Sequence, residues 1–573
     1  MLRRVKTHRI LGLALAPLLA ARLAGAADDA LAKGQALLGA LRQADMPLAA
    51  TLIGARVDVN VRDEAGATPL MWAAQRRSTD LTERLIKAHA DPNLVSANGL
   101  GPLQVAIANH AADIALLLID AGAKVNVARA NGETPLMTAA RTGQLEVMQR
   151  LIAHGADVNA RDAKFNQTAL MWSAGHPAQV KLLIAHGADL RARSRTWDVT
   201  NTIYTPIVST VGVTGIPWNH EGEFVSKTGG QSALFFAVQN DDIESTRALL
   251  DAGLDVNDRA ADGSTALLLA LYKWSWPSSD TEHLHAPRFD PDIAMANLLL
   301  DRGADVNVTD AAGYTPLHGA VLGLVARPRL VDNVRVSDAG IAAAKAPTDA
   351  QSCMALVKRL LDLHADPNAM TRFPTPGSIG NVRINPVPPG STPVHIAALS
   401  GNVELAELLL ARGGDPNLTR QDGHSPLSVS VKINDLPMAS ALVAHGGDVK
   451  HIYSPADQLG DPIKPVARAR SKESILHIAA AAGAYDVIPF LAQHGAPLDL
   501  VNDKGETALD LADAQERFRY ARATQDAASL QAELGDDPAR HNVVRETRTS
   551  DVLKKLLSTK TVSKQVPSRV SGL

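Results

Sequence analysis

The chain has 573 residues, with Lys+Arg 57 against Asp+Glu 60 and a formal net charge of -3, a balance that argues against a nucleic-acid partner, since that needs a basic footprint. Its single cysteine, Cys353, excludes an intramolecular disulfide and a thiolate zinc cluster. The residues are 46% hydrophobic but only 3% aromatic, which suits thin layers of small helices better than one large core.

Arg3, Arg4, Lys6 and Arg9 precede an apolar run over 10–21, and Ala24, Gly25 and Ala26 follow it. This order predicts a secretory signal peptide over residues 1–26, cleaved after Ala26. About a dozen apolar residues fall short of the roughly 20 needed to span a bilayer. The Arg3-Arg4 pair raises a twin-arginine route, which the following Val-Lys-Thr-His fits poorly. No later apolar stretch is long enough to span, and the only cysteine, Cys353, lies far beyond the signal instead of just after it, so neither a membrane span nor a lipid anchor is expected in the mature chain. Asn166, Asn307 and Asn417 each begin an N-x-Thr acceptor, the last two at a recurring position where a glycan would crowd its neighbour. The expected location is therefore the periplasm, or outside the cell.

From residue 28 onward the sequence repeats itself. Gly66, Gly99 and Gly132 are 33 residues apart, as are Gly230 and Gly263, and Gly390 and Gly423. Near them recur Thr68-Pro69-Leu70, Thr134-Pro135-Leu136, Thr168-Ala169-Leu170, Thr315-Pro316-Leu317, Thr392-Pro393-Val394 and Thr507-Ala508-Leu509. Threonine caps a helix by accepting a backbone N–H, and proline at the first helical position has no N–H to leave unpaired. A second helix follows with apolar residues at helical spacing, such as Leu145, Met148, Leu151 and Ile152. It stops at a glycine such as Gly155, Gly187, Gly303 or Gly413, ahead of Asp157-Val158-Asn159 and its equivalents.

These residues resemble the ankyrin repeat, whose signature has TPLH opening the first helix and GADVN leading into a finger. The resemblance covers ten or eleven units, and His occupies the fourth signature position only at His318, His395 and His477. It implies an all-α ankyrin-repeat solenoid: helix pairs plus β-hairpin-like fingers, with long loop insertions, used to bind other proteins. One helix pair cannot bury its apolar face alone, so stability comes from neighbours and the ends need caps. The expected organisation is a capping unit at 28–60, repeats over 61–193, an aromatic-rich finger insertion at 194–229, and repeats over 230–511 interrupted at 273–291, 322–350, 371–389 and 451–472. A C-terminal capping unit at 512–557 with a charged insertion and a disordered tail at 558–573 complete it.

Insertions in a stack of repeats map to surface loops and are where partners are sought. Residues 194–229 and 273–291 hold four of the six tryptophans, Trp197, Trp218, Trp274 and Trp276, together with Tyr204. Rigid aromatics on loops suit an interface, although long loops also pack themselves down with such residues. Trp72 and Trp172 are expected in the core. Arg62, Arg161, Arg193 and Arg259 recur near the fingers and form a candidate ladder for acidic side chains of a partner.

Catalytic signatures are absent from the sequence, and the expectation is a non-enzyme without a cofactor. His89, His154, His186, His364, His445 and His494, each before the helix-ending turn, are expected as helix C-terminal partners, one per layer. The pair His283 and His285, beside Asp280 and Glu282, is a candidate metal site lacking a third ligand fixed by spacing. Cys353 reads as semi-exposed. The chain thus reads as a protein-binding scaffold, periplasmic or secreted, presenting a concave face and insertion loops to a protein partner. A metal or small-molecule site built by the Trp/His-rich insertions, or an exported effector acting on host proteins, are the alternatives.

Overall fold

A computed structural model describes residues 32–55, 57–206, 218–272, 274–275, 288–289, 291–324, 350–372, 390–420, 423–453, 473–514 and 549–564. The segment 1–26, expected from the sequence as a signal peptide, and much of the insertions lie outside them. The chain divides into two compact units, one of Met1–Trp197 with Gly229–Ala261 and one of Asp198–Thr228 with Asp262–Leu573. Each is a stack of antiparallel helix pairs, an inner helix at Thr-Pro-Leu and an outer helix after it.

The capping expected from the sequence is present at Thr68 and Thr134 and missing at Thr168. Thr68 Oγ1 accepts from Met71 N at 3.3 Å to start Pro69–Gln75, and Thr134 does the same for Met137 at 3.3 Å. Thr168, followed by alanine, makes no such bond, and its inner helix is only Ala169–Trp172. Outer helices bury one face, for example Val147, Met148 and Leu151 of Leu145–Ala153. The fingers are tight turns that touch tip to tip. Ala163 N donates to Asn131 O at 2.9 Å, and a Cβ added to Gly132, at φ +81°, would lie 2.4 Å from that same nitrogen. Only glycine allows this approach.

A second tie runs between layers. Seven scaffold asparagines donate their amides to a carbonyl at the end of the next outer helix and accept a backbone N–H two residues further on. Asn126 Nδ2 reaches Gly155 O at 2.9 Å and its Oδ1 accepts from Asp157 N at 2.8 Å. Asn60, Asn93 and Asn159 repeat this in the first unit, and Asn307, Asn368 and Asn417 in the second. With both ends of the amide engaged, a glycan at Asn307 or Asn417 would break the tie.

The insertions are closed at their stems. Trp274–Ser275 pairs antiparallel with Arg288–Phe289, and Ile452–Tyr453 with Glu473–Ser474. Thr371 N donates to Ser391 O at 3.0 Å across the stem of 371–389. The 194–229 insertion, read from the sequence as a loop, contains the strands Thr196–Pro206 and Trp218–Gly229, paired in a two-stranded sheet. Its threonines, Val199, Ile203, Trp197 and Tyr204 are strand formers, which is why it pairs as strands instead of looping.

The ends need one correction. Residues 32–42 and Met46–Gly54 form a helix pair without Thr-Pro-Leu, as a cap requires. At the other end the helix Thr549–Lys564 runs past residue 557 into the expected disordered tail, because Leu553, 1% exposed, anchors a helix that nothing stops at Ser558. Cys353 is also buried, not semi-exposed, and lies beside the inner helix Pro316–Leu324.

Candidate functional site: the inner-helix face of the first unit

One register position decides what each stack offers. The fourth residue after the inner-helix cap is Trp72, Val105, Thr138, Trp172 and Phe236 in the first unit. All but Thr138 are half-buried there, so an aromatic and apolar row faces solvent. In the second unit the same position is Leu269, Gly319, Ile396, Val429, Ile478 and Leu511, aliphatic or glycine throughout; Leu269 and Leu511 are half-buried and the other four are buried. The two tryptophans expected in the core therefore stand on the accessible face of the first stack.

Their surroundings are polar and ordered. Trp72 Nε1 donates to Asp63 Oδ2 at 3.1 Å, and the guanidinium carbons of Arg42 and Arg76 each lie 5.9 Å from its ring centroid. Arg141 lies 5.6 Å from the Trp172 ring and 3.5 Å from Glu133. Glu133, whose side chain is 4% exposed, also accepts from Arg129 at 2.8 Å and Thr138 Oγ1 at 2.9 Å. Here arginine replaces the finger aspartate seen at Asp63 and Asp162, and Glu133 compensates for it. At the finger tips Phe165 and Trp197, 38% and 45% exposed, form an aromatic pair with centroids 6.4 Å apart, and Lys164 Nζ lies 4.7 Å from the Phe165 ring.

Of the residues singled out from the sequence, Trp197 thus joins this surface. Arg62, Arg161 and Arg193 lie along the stack and bond the next finger. Arg62 Nη1 donates to Val95 O at 3.0 Å, and Arg161 pairs with Asp189 at 3.4 Å. Arg193 forms a two-pronged pair with Asp258, across the point where the strand insertion leaves the stack. Carbonyls and carboxylates of the next finger are the nearest acceptors to these long side chains, which is why the ladder faces its own chain. Arg259 is exposed. Tyr204, Trp218 and Trp274 are placed on strands at the level of backbone alone, and Trp276, His283 and His285 lie outside the described residues. Among the described residues no group of three His, Cys, Asp or Glu is arranged to hold a metal ion.

The repeat-position histidines fall into three kinds. His154, His186, His445 and His494 cap their outer helices, with Nδ1 at 2.8–2.9 Å from the carbonyl four residues back. His89 and His364 do not belong with them: at φ +64° and +66° they occupy the left-handed position that glycine fills elsewhere. The sequence has no glycine after either one, and this was the available signal. His318, His395 and His477 are buried; each sits by its capping hydroxyl through Nδ1 and reaches the next layer through Nε2, to Ser391 O at 3.2 Å, His424 O at 3.1 Å and Glu506 O at 3.0 Å. Burial pushes the His318 imidazole down to about 4.

Family models described as "Ankyrin repeats (3 copies)" match residues 37–129, 113–194 and 341–453, and one described as "Ankyrin repeats (many copies)" matches 458–512. The chain belongs to the ankyrin-repeat family. ZDHHC13 of Danio rerio, which is named as a palmitoyltransferase, is 30% identical over 141 residues, 21% of this chain and 22% of that protein. Ankyrin repeat and SOCS box protein 16 of Mus musculus is 27% identical over 253 residues, 40% of this chain and 48% of its own. Neurogenic locus notch homolog protein 1 of Danio rerio is 36% identical over 260 residues, 45% of this chain but 8% of its own. The chain thus spans less than half the length of each of these relatives. Among the described residues, no helix is long and apolar enough to cross a membrane.

Proposed function

We propose that this ankyrin-repeat protein is a non-catalytic protein-interaction scaffold that acts in the periplasm or outside the cell. Its partner docks on the inner helices and finger tips of the first unit. The observation behind this reading is the residue type at one register position: a half-open row of Trp72, Val105, Trp172 and Phe236 in the first unit, against only glycine and aliphatic residues, four of six buried, in the second. Accessible aromatics with polar groups at their edges are what interface cores are made from. The ankyrin-repeat relatives support an interaction scaffold; the charge, hydrophobic run and small residues at 1–26 support export.

The test is affinity capture from extracts of the producing cell, comparing the parent with a Val105→Gln/Phe236→Gln variant whose melting is checked in parallel. Loss of a specific partner with unchanged melting is the expected result. Capture unaffected by the variant would reject this face as the docking surface. Fractionation addresses location: a product retaining residues 1–26 in the cytoplasm would overturn the export reading.

A further inference from the structure

The charges of the first unit are distributed unevenly between its two faces. On the outer helices, cations have carboxylate neighbours: Arg84 with Asp80 at 2.8 Å, Lys87 with Glu83 at 3.3 Å, Arg150 with Asp120 at 2.5 Å. On the inner face the acids are buried and already engaged. Asp63 and Glu133 have side chains 4% exposed, and Asp162 is 5% exposed. Asp63 accepts from Ala65 N, Ala67 N and Trp72 Nε1, while Asp162 accepts from Lys164 N, Phe165 N and Gln167 N. Arg42 lies 3.9 Å from Asp63 and Arg141 3.5 Å from Glu133, yet because those acids are buried the two guanidinium side chains remain 49% and 53% exposed, against the Trp72 and Trp172 rings. Glu64, on a finger tip, is an exposed acid of this surface.

A guanidinium backed by an indole ring presents its N–H edge outward in a plane that suits a carboxylate. The two such brackets are three layers apart. At roughly 10 Å per layer the gap is about 30 Å, the span of about nine residues of extended chain. Between them Val105 and the buried Thr138 offer an uncharged floor.

We infer, resting on the use of this face proposed above, that the partner presents an extended acidic segment of about nine or more residues. Its carboxylates dock on Arg42 and Arg141 and its apolar side chains lie between them. The pairing recognises carboxylate charge at two fixed points, so a segment acidic at both ends binds better than one acidic at its centre.

The experiment uses the full chain and a fluorescein-labelled peptide, Glu-Glu-(Leu-Gln)4-Glu-Glu, followed by fluorescence anisotropy at low salt. A twin with Gln in place of Glu serves as control. The expected result is at least tenfold tighter binding of the acidic peptide than of the twin. An Arg42→Ala/Arg141→Ala variant should lose at least tenfold, with melting unchanged because Arg129 still neutralises Glu133 and Asp63 keeps its backbone and indole donors. Equal binding of both peptides, no binding of the acidic peptide, or no effect of the double variant would overturn the inference. So would a DNA duplex or a phosphatidylglycerol vesicle that outcompetes the acidic peptide. A cellular partner whose capture depends on Val105 and Phe236 but not on Arg42 and Arg141 would sink this inference alone and leave the scaffold standing.

Discussion

Acidification should act on the second unit through two opposed groups less than ten residues apart. His318, fully buried, accepts from Thr315 N through Nδ1 at 3.2 Å, so its Nε2–H is the donor to Ser391 O at 3.2 Å. Protonation would remove the acceptor and leave a buried charge. The ordinary histidine value of 6.5 is lowered to about 4 by burial. Stability from this group is complete above pH 6.5 and is lost as pH falls toward 4, to a total of about 3 kcal/mol. Burial raises the Asp310 carboxyl to about 6. Its folded state takes up a proton before the unfolded state does, so acidification from pH 6 toward 3.8 adds stability, by a smaller amount since Asp310 is only partly buried. The two effects offset one another in the parent. His318→Gln should separate them, because Gln104 makes the same two bonds in another layer: its Oε1 accepts from Gly101 N at 3.1 Å and its Nε2 reaches Val127 O at 2.7 Å. In urea titrations between pH 7 and 4.5, His318→Gln should gain stability relative to the parent as pH falls, and Asp310→Asn should lose it. Parallel pH profiles for His318→Gln and the parent would refute the argument.

Three further outcomes follow from the layer ties. Asn126→Ala removes two inter-layer bonds near solvent, so a loss of about 1–2 kcal/mol is expected in urea unfolding, with faster hydrogen exchange at Asp157 N. Arg193→Ala leaves Asp258, with a side chain 8% exposed, without its cation; about 2 kcal/mol should be lost and partly regained by adding Asp258→Asn. Removing the left-handed strain at His89 with His89→Gly should raise stability by about 0.5–1 kcal/mol, read as a higher melting temperature.

The helix pairs were legible because their determinants are local. Thr68-Pro69 and Thr134-Pro135 fix helix starts, and Gly155, Gly187 and Gly303 fix ends. The site was less legible because exposure of the inner row depends on what else covers it. Trp172 and Ile396 occupy the same register and read alike as apolar inner-helix residues, yet one is half-open and the other buried. Direction was also hidden at Arg62, Arg161 and Arg193. Their spacing revealed a ladder, but only coordinates show that its rungs join finger to finger.

The asparagine ties have a consequence for how such a protein can change. Asn126 meets its acceptor at a sequence separation of 29 and Asn307 at 57, yet the two contacts are 2.9 and 3.0 Å long. Geometry between floors is therefore indifferent to the length of corridor joining them. A lineage can graft, trim or exchange the intervening segment without rebuilding the staircase, so binding surfaces can diversify while the frame stays fixed.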